Sequence, residues 1–192
     1  GCAAPIWKSG PPENDPSRVL IVGDSLTRES QPSLQQRLAK KGWLPTVRCW
    51  GGKGTVWGKE QIQRARKLDN LPSVVVVALG TNDVWWLGTD LGSGVDSIMK
   101  SLGPKRKVYW VNLLFGPNGY GLEPPTEANR LLVEKAEEYK NLEVIDFATA
   151  YKAAMAKDSS VGWADGVHLN SAGYRVRNSL IVKALNAARA SR

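Results

Sequence analysis

The chain has 192 residues, 42% of them hydrophobic, and a formal net charge of +8. That length suits one core, burying roughly 70% of the unfolded surface at this size, and a second full domain is not expected. No apolar run approaches the ~20 residues that span a bilayer. The basic residues are dispersed (Lys40-Lys41, Lys59 to Lys67, Lys105 to Lys107, Arg175 to Arg192) and no nucleic-acid module motif accompanies them, so nucleic acid is not the expected partner. The positive excess favours anionic surfaces in general, envelope polymers and lipid headgroups among them.

Residues 1–17, rich in Pro and Gly and without periodicity, read as an irregular arm ahead of one domain over 18–192. Arg18 to Val22 is a short apolar run ending at Gly23, which predicts a buried strand. Leu34 and Leu38 fall at helical spacing between about Ser30 and Lys41, and Gly42 closes that helix from the C-terminal side. A second strand is expected over Thr46 to Cys49, followed by the cluster Gly51-Gly52-Lys53-Gly54 and a helix from about Lys59 to Leu68. Val74 to Leu79 is apolar at every position, the pattern of a central parallel strand covered on both faces.

The alternation continues to the C-terminus. A helix near Val95 to Leu102 precedes a strand over Lys107 to Leu114, then a helix over Glu127 to Tyr139 with Thr126 as its N-cap. A strand over Leu142 to Ile145, a short helix over Phe147 to Ala156, a loop from Asp165 to Asn170 and a helix over Ser171 to Ala188 complete the chain. Strands and helices in this order predict a three-layer α/β/α sandwich with about five parallel strands. In such folds ligands bind outside the carboxyl ends of the strands.

Cys2 and Cys49 match no metal-ligand spacing, and with a single histidine a zinc site would rest on carboxylates, so no metal is expected. The two cysteines leave three readings open. They could form a disulfide tying the N-terminal segment to the sheet, which implies an oxidising compartment, or remain as two free thiols. Gly1-Cys2-Ala3-Ala4 also reads like the end of a bacterial lipoprotein signal with an acylated cysteine.

Three segments carry chemistry at predicted strand ends or turns: Gly23-Asp24-Ser25-Leu26-Thr27, Gly80-Thr81-Asn82-Asp83, and Asp165-Gly166-Val167-His168-Leu169-Asn170. Each alone has a plain explanation. A serine after a strand is commonly a helix cap, Asn and Asp favour turns by themselves, and a lone histidine is usually without a role. Together they supply a nucleophile, an amide donor, and a base with an aspartate three residues before it, which is the equipment for acyl transfer. Asp24 and Asp83 read as turn residues supporting the site, not as further acid or base groups. Gly51-Gly52-Lys53-Gly54-Thr55 lacks the ending of a nucleotide-binding P-loop.

These blocks, with a glycine after the second strand, resemble the SGNH/GDSL hydrolase superfamily over residues 19–174. The resemblance implies a flavodoxin-like α/β/α fold, with Ser25 as nucleophile, His168 as general base and Asp165 orienting the imidazole. It also implies an oxyanion hole built from the Ser25 backbone N–H, a glycine N–H and the Asn82 carboxamide. Gly52 aligns best, with Gly51 and Gly54 as alternatives. No cofactor is implied.

A finer resemblance rests on Val108-Tyr109-Trp110-Val111-Asn112, Asn129 and Val144-Ile145-Asp146, which look like the extracytoplasmic SGNH domains attached to bacterial membrane acyltransferases. It implies an acyl-ester substrate of carbohydrate type and an envelope location, secreted, tethered or lipoprotein. Association with a membrane acyltransferase domain or the cell envelope would follow. Of the eight tryptophans, Trp85 and Trp86, directly after Asn82-Asp83, are the best placed for substrate contact. The rival readings are a lipase or thioesterase of the same superfamily, and an inactive glycan-binding module.

Overall fold

The computed structural model describes Cys2 and residues 14–68, 71–117 and 120–191. Most of the arm expected over residues 1–17, namely residue 1 and residues 3–13, lies outside the described residues. Five strands, β1 (Arg18–Gly23), β2 (Leu44–Cys49), β3 (Val74–Ala78), β4 (Lys107–Val111) and β5 (Leu142–Ile145), form one sheet in the order β2-β1-β3-β4-β5. Every pairing is parallel. The helices are α1 (Ser25–Arg28), α2 (Gln31–Lys40), α3 (Thr55–Lys67), α4 (Leu91–Leu102), α5 (Thr126–Glu138), α6 (Phe147–Lys157) and α7 (Ser171–Ala190).

The three layers follow from the two-residue period of a strand. Val19 and Ile21 of β1, with Val74 and Val76 of β3, pack into a core shared with Leu34 and Leu38 of α2, Phe147 and Tyr151 of α6, and Ile181 and Leu185 of α7. Leu20, Val22, Val75 and Val77 point the other way, toward Ile62 of α3, Val95 and Ile98 of α4 and Leu132 of α5. Both faces are dry, so β3 needs an apolar residue at every position, and each such buried side chain contributes about 1.5–3 kcal/mol. The expected α/β/α sandwich is thus the observed architecture.

Element starts deviate from the sequence reading in three helices. α3 begins at Thr55, not Lys59, because the buried carboxylate of Asp83 accepts from the Thr55 backbone N–H (3.1 Å) and hydroxyl (2.6 Å) and satisfies the helix N-terminus from across the sheet edge. α4 begins at Leu91, where Asp90 accepts from the Ser93 N–H at 2.7 Å. Thr126 is the first residue of α5 and not its cap; Pro125 occupies the cap position without a side-chain bond.

The register is what builds a site. Gly23 pairs with Cys49 on one side and with Ala78 on the other, so β1, β2 and β3 end level with one another. Their following segments, Asp24-Ser25, Trp50 to Gly52 and Leu79 to Asn82, therefore leave the sheet side by side. β1 is also where the strand order reverses, the usual place for a ligand crevice in an open α/β sheet.

Cys2 and Cys49 are joined in a disulfide, with a Cα–Cα separation of 5.1 Å. The Cys2 N–H also donates to the Cys49 carbonyl at 2.8 Å. The structure thereby selects the disulfide among the three readings of these cysteines. Among the described residues no helix is long and apolar enough to cross a membrane.

Candidate active site

The serine segment is organised by its aspartate. Asp24 is the N-cap of α1, its Oδ1 accepting from the Leu26 N–H at 3.0 Å. The cap role that a serine after a strand would ordinarily take is therefore filled, and Ser25 stands as the first helical residue with its hydroxyl free for another partner. That partner is His168, whose Nε2 lies 2.9 Å from Ser25 Oγ. The backbone N–H of a first-turn residue has no intrahelical acceptor and remains available as a donor.

His168 is presented by a short closed loop. Trp163 and Leu169 form an antiparallel bridge, and the Ala164 N–H donates to the His168 carbonyl at 2.9 Å. Inside the loop, Asp165 Oδ1 accepts from the backbone N–H groups of Val167 (2.7 Å) and His168 (2.6 Å), a local turn that Asp side chains favour. Its other oxygen, Oδ2, lies 2.8 Å from His168 Nδ1. Val167 and Leu169 are buried and anchor the loop, leaving the intervening imidazole at the surface with its side chain 27% exposed. The Gly116 N–H, from the segment after β4, donates to the Gly166 carbonyl at 2.9 Å and ties this loop to the sheet edge.

Two electrostatic environments result. Burial works to raise the Asp165 carboxyl, but bonds from the His168 backbone and ring and from the Val167 N–H outweigh it and hold it below its ordinary value. Asp24 is different: burial pushes its carboxyl up to about 6, against the opposing pull of the buried Arg177 guanidinium and weaker bonds nearby. Arg177 itself, on α7, donates to Thr27 Oγ1 at 3.3 Å, directly behind α1.

Asn82 is buried on the other side of Ser25's segment. Its Nδ2 donates to the Lys53 carbonyl at 2.9 Å and lies 3.5 Å from Asp24 Oδ2, while its Oδ1 accepts from the Trp86 indole N–H at 3.0 Å. Gly52 adopts a φ of +74°, which a glycine reaches without strain, and the Trp86 ring stands beside it, 3.4 Å from where a Cβ would be. Gly52, Asn82 and Ser25 thus belong to three adjacent loops of one edge.

Residues 83–87 form a π-helical turn, an element absent from the sequence-based expectations. Trp86 is 60% exposed on it. Trp85 is half-buried and stacks on Tyr120 with ring centroids 5.0 Å apart. Trp43 and Trp110 are core residues, and Trp57 and Trp163 pack against the two cores, so packing accounts for half of the eight. Trp50 is exposed beside the glycine cluster.

Several residues behind the finer resemblance prove to be struts. Asn112 donates to Asp146 (2.9 Å) and accepts from the Ala148 N–H (2.9 Å), and Asn129 exchanges two bonds with the Leu113 backbone. The sequence reading missed Arg177 altogether and did not connect Trp86 with Asn82. An arginine in a helix carries no local sign that it will be buried, whereas the four-residue spacing of Asn82 and Trp86 was visible.

Several solved structures share this fold. The C-terminal catalytic domain of Streptococcus pneumoniae peptidoglycan O-acetyltransferase A, solved with a methylsulfonyl adduct, aligns over 94% of this chain and 96% of its own, with a TM-score of 0.73 and 20% identity. A putative acylhydrolase from Bacteroides fragilis aligns over 95% and 93% with a TM-score of 0.68 and 21% identity. Axe2, an acetylxylan esterase from Geobacillus stearothermophilus, aligns over 90% and 95% with a TM-score of 0.65 and 17% identity. At these identities the likeness is one of fold. No curated protein matches the chain in sequence. Residues 21–176 match the GDSL-like lipase/acylhydrolase family, and the chain therefore belongs to that family.

Proposed function

We propose that the chain is a serine-dependent esterase or O-acetyltransferase that works through an acyl-serine intermediate on acetylated carbohydrate of the bacterial envelope. The observation that carries the serine mechanism is the continuous relay from Ser25 Oγ through His168 Nε2 and Nδ1 to Asp165 Oδ2, at 2.9 and 2.8 Å. Ser25 Oγ attacks the ester carbonyl while its proton passes to Nε2, and the imidazolium is steadied by the Asp165 carboxylate. The tetrahedral oxyanion takes donors from the Ser25 N–H, the Gly52 N–H and Asn82 Nδ2, each worth about 3 kcal/mol in such sites. Collapse breaks the C–O bond to the leaving alcohol, which receives the proton from Nε2. A water or a sugar hydroxyl then attacks the acyl-serine by the same route in reverse, giving free acid or a new ester.

Carbohydrate is favoured by the exposed Trp86 and the half-buried Trp85 at the rim, whose flat rings suit sugar stacking. Proteins of similar fold include the peptidoglycan O-acetyltransferase domain and the acetylxylan esterase. An extracytoplasmic location is supported by the Cys2–Cys49 disulfide, since such bonds persist in oxidising compartments. The +8 charge suits an anionic envelope surface and association with an envelope or membrane acyltransferase partner.

The test is intact-protein mass spectrometry after incubation with p-nitrophenyl acetate, with and without a chito-oligosaccharide acceptor. A mass gain of one acetyl group mapped to Ser25 is expected, absent in Ser25→Ala. Acetylated oligosaccharide in preference to acetate identifies a transferase, and acetate alone an esterase. Acetyl release with no adduct on Ser25 under rapid quench overturns the acyl-serine route.

A further inference from the structure

The Asn82 carboxamide has only one chemically sensible orientation. The Trp86 indole N–H can only donate and the Lys53 carbonyl can only accept, so Asn82 Oδ1 must face Trp86 and Nδ2 must face Lys53. Two bonds of opposite sense at the two ends of a planar amide fix its plane; one alone leaves a pivot. With one Nδ2 hydrogen committed to Lys53, the other has only Asp24 Oδ2 at 3.5 Å, the outer limit of a hydrogen bond. That second hydrogen is the one left to meet a developing oxyanion.

The arrangement depends on the local backbone. Asn82 immediately precedes the π-helical turn 83–87, and the turn returns Trp86 to the same side four residues on. Such turns recur at functional sites. Trp86 is also the ring beside Gly52, so one residue borders both loop-borne members of the candidate hole. Nothing about packing requires a tryptophan here, since the ring is 60% exposed.

We propose that Trp86 is a positioning residue: its indole N–H holds the Asn82 carboxamide so that the Nδ2 hydrogen not held by Lys53 is the one presented to the reacting ester. This rests on the reading of Asn82 as an oxyanion donor, and it is separate from any stacking of substrate on the ring. A glycan that packs on the exposed face of Trp86 would also steady the donor, linking recognition to chemistry.

The experiment is a double-mutant cycle with p-nitrophenyl acetate, an ester too small to need the ring. Trp86→Phe keeps an aromatic face and loses the N–H; kcat should fall about tenfold with KM within about twofold, a fraction of the 10²–10³ loss expected for Asn82→Ala. Because Trp86 acts through Asn82, adding Trp86→Phe to Asn82→Ala should cost less than about twofold more. Replacing Trp86 by 3-benzothienylalanine, which exchanges only the N–H for sulfur, should reproduce the kcat loss if the phenylalanine variant folds poorly. A wild-type kcat in the benzothienyl protein, or a full tenfold loss added on top of Asn82→Ala, overturns the proposal. Ser25→Ala is run alongside: an active Ser25→Ala protein refutes the serine mechanism itself, whereas an inactive one beside a wild-type benzothienyl protein refutes only the role of Trp86.

Discussion

Ser25 Oγ and His168 Nε2 lie 2.9 Å apart although 143 residues separate them in the chain. The contact exists because the β1 end and the loop before α7 meet at one sheet edge, and it has no structural duty that packing could not meet otherwise. Ser25→Ala and His168→Ala should therefore each lower p-nitrophenyl acetate hydrolysis by about a thousandfold or more, and the double variant should be no worse than either. Thermal unfolding should stay within a few degrees of wild type. Full activity in either variant removes the relay from consideration.

Asp165→Asn tests the third member. The carboxylate faces Nδ1 and also holds the loop through two backbone bonds. An amide keeps one acceptor for the backbone but no longer stabilises an imidazolium, so kcat should fall about 10²–10⁴-fold. The pH dependence has a definite sign: a carboxyl held below its ordinary value stabilises the fold above the unfolded-state pKa of about 3.9, and that contribution disappears as pH falls through the depressed value. Urea unfolding at pH 7 and pH 3 should show the wild-type advantage over Asp165→Asn shrinking at the lower pH. Its side chain is 39% exposed, so solvent screening keeps the effect small.

The strands and the three chemical segments were legible because local signals carried them: uninterrupted apolar runs for β1 and β3, and short motifs around Ser25, Asn82 and His168. What escaped was set by contacts distant in sequence. The early start of α3 depends on Asp83, 28 residues away from Thr55. The first turn of α4 carries Gly92 and Gly94, residues of low helix propensity, yet Gly94 is where α4 approaches α3 so closely that a Cβ would lie 2.1 Å from Thr55 Oγ1. That the serine would not be its own helix cap was equally hidden. Only the geometry of Asp24 decides it.

Gly52→Ala probes the second loop. At a φ of +74° an alanine pays roughly 1–2 kcal/mol for a left-handed backbone, and relief comes by rotating the peptide that would carry the oxyanion donor. We expect a loss of stability of that order by urea unfolding, with kcat reduced more than KM is raised. A variant with the strain but unchanged kcat would move the glycine donor to Gly51 or Gly54.

The disulfide joins residues 47 apart, a span for which loop closure in the unfolded chain predicts about 4 kcal/mol of stabilisation. Cys2→Ser with Cys49→Ser should lower the unfolding free energy by up to that amount, and dithiothreitol should do the same to the wild type. The bond lies at the end of β2 and touches none of Ser25, His168 or Asp165, so esterase activity at 25 °C should survive in both. Activity that collapses with reduction while the fold persists would show that Cys49 holds the glycine loop in place.

Asp24 offers the sharpest pH test. Its carboxyl is buried and raised from 3.8 to about 6, so the folded state favours the protonated form more than the unfolded state does. The stability this gives is fully present below about pH 4 and is lost as pH rises to 6, a swing on the order of 3 kcal/mol by linkage. Asp24→Asn cannot titrate and keeps an oxygen to accept from the Leu26 N–H. Whatever its baseline, its stability relative to wild type should improve by a few kcal/mol between pH 4 and pH 7, measured by urea unfolding at each pH. A constant difference would mean that Arg177, the nearest buried cation, keeps Asp24 ionised throughout and that the two form a permanent ion pair beneath the serine.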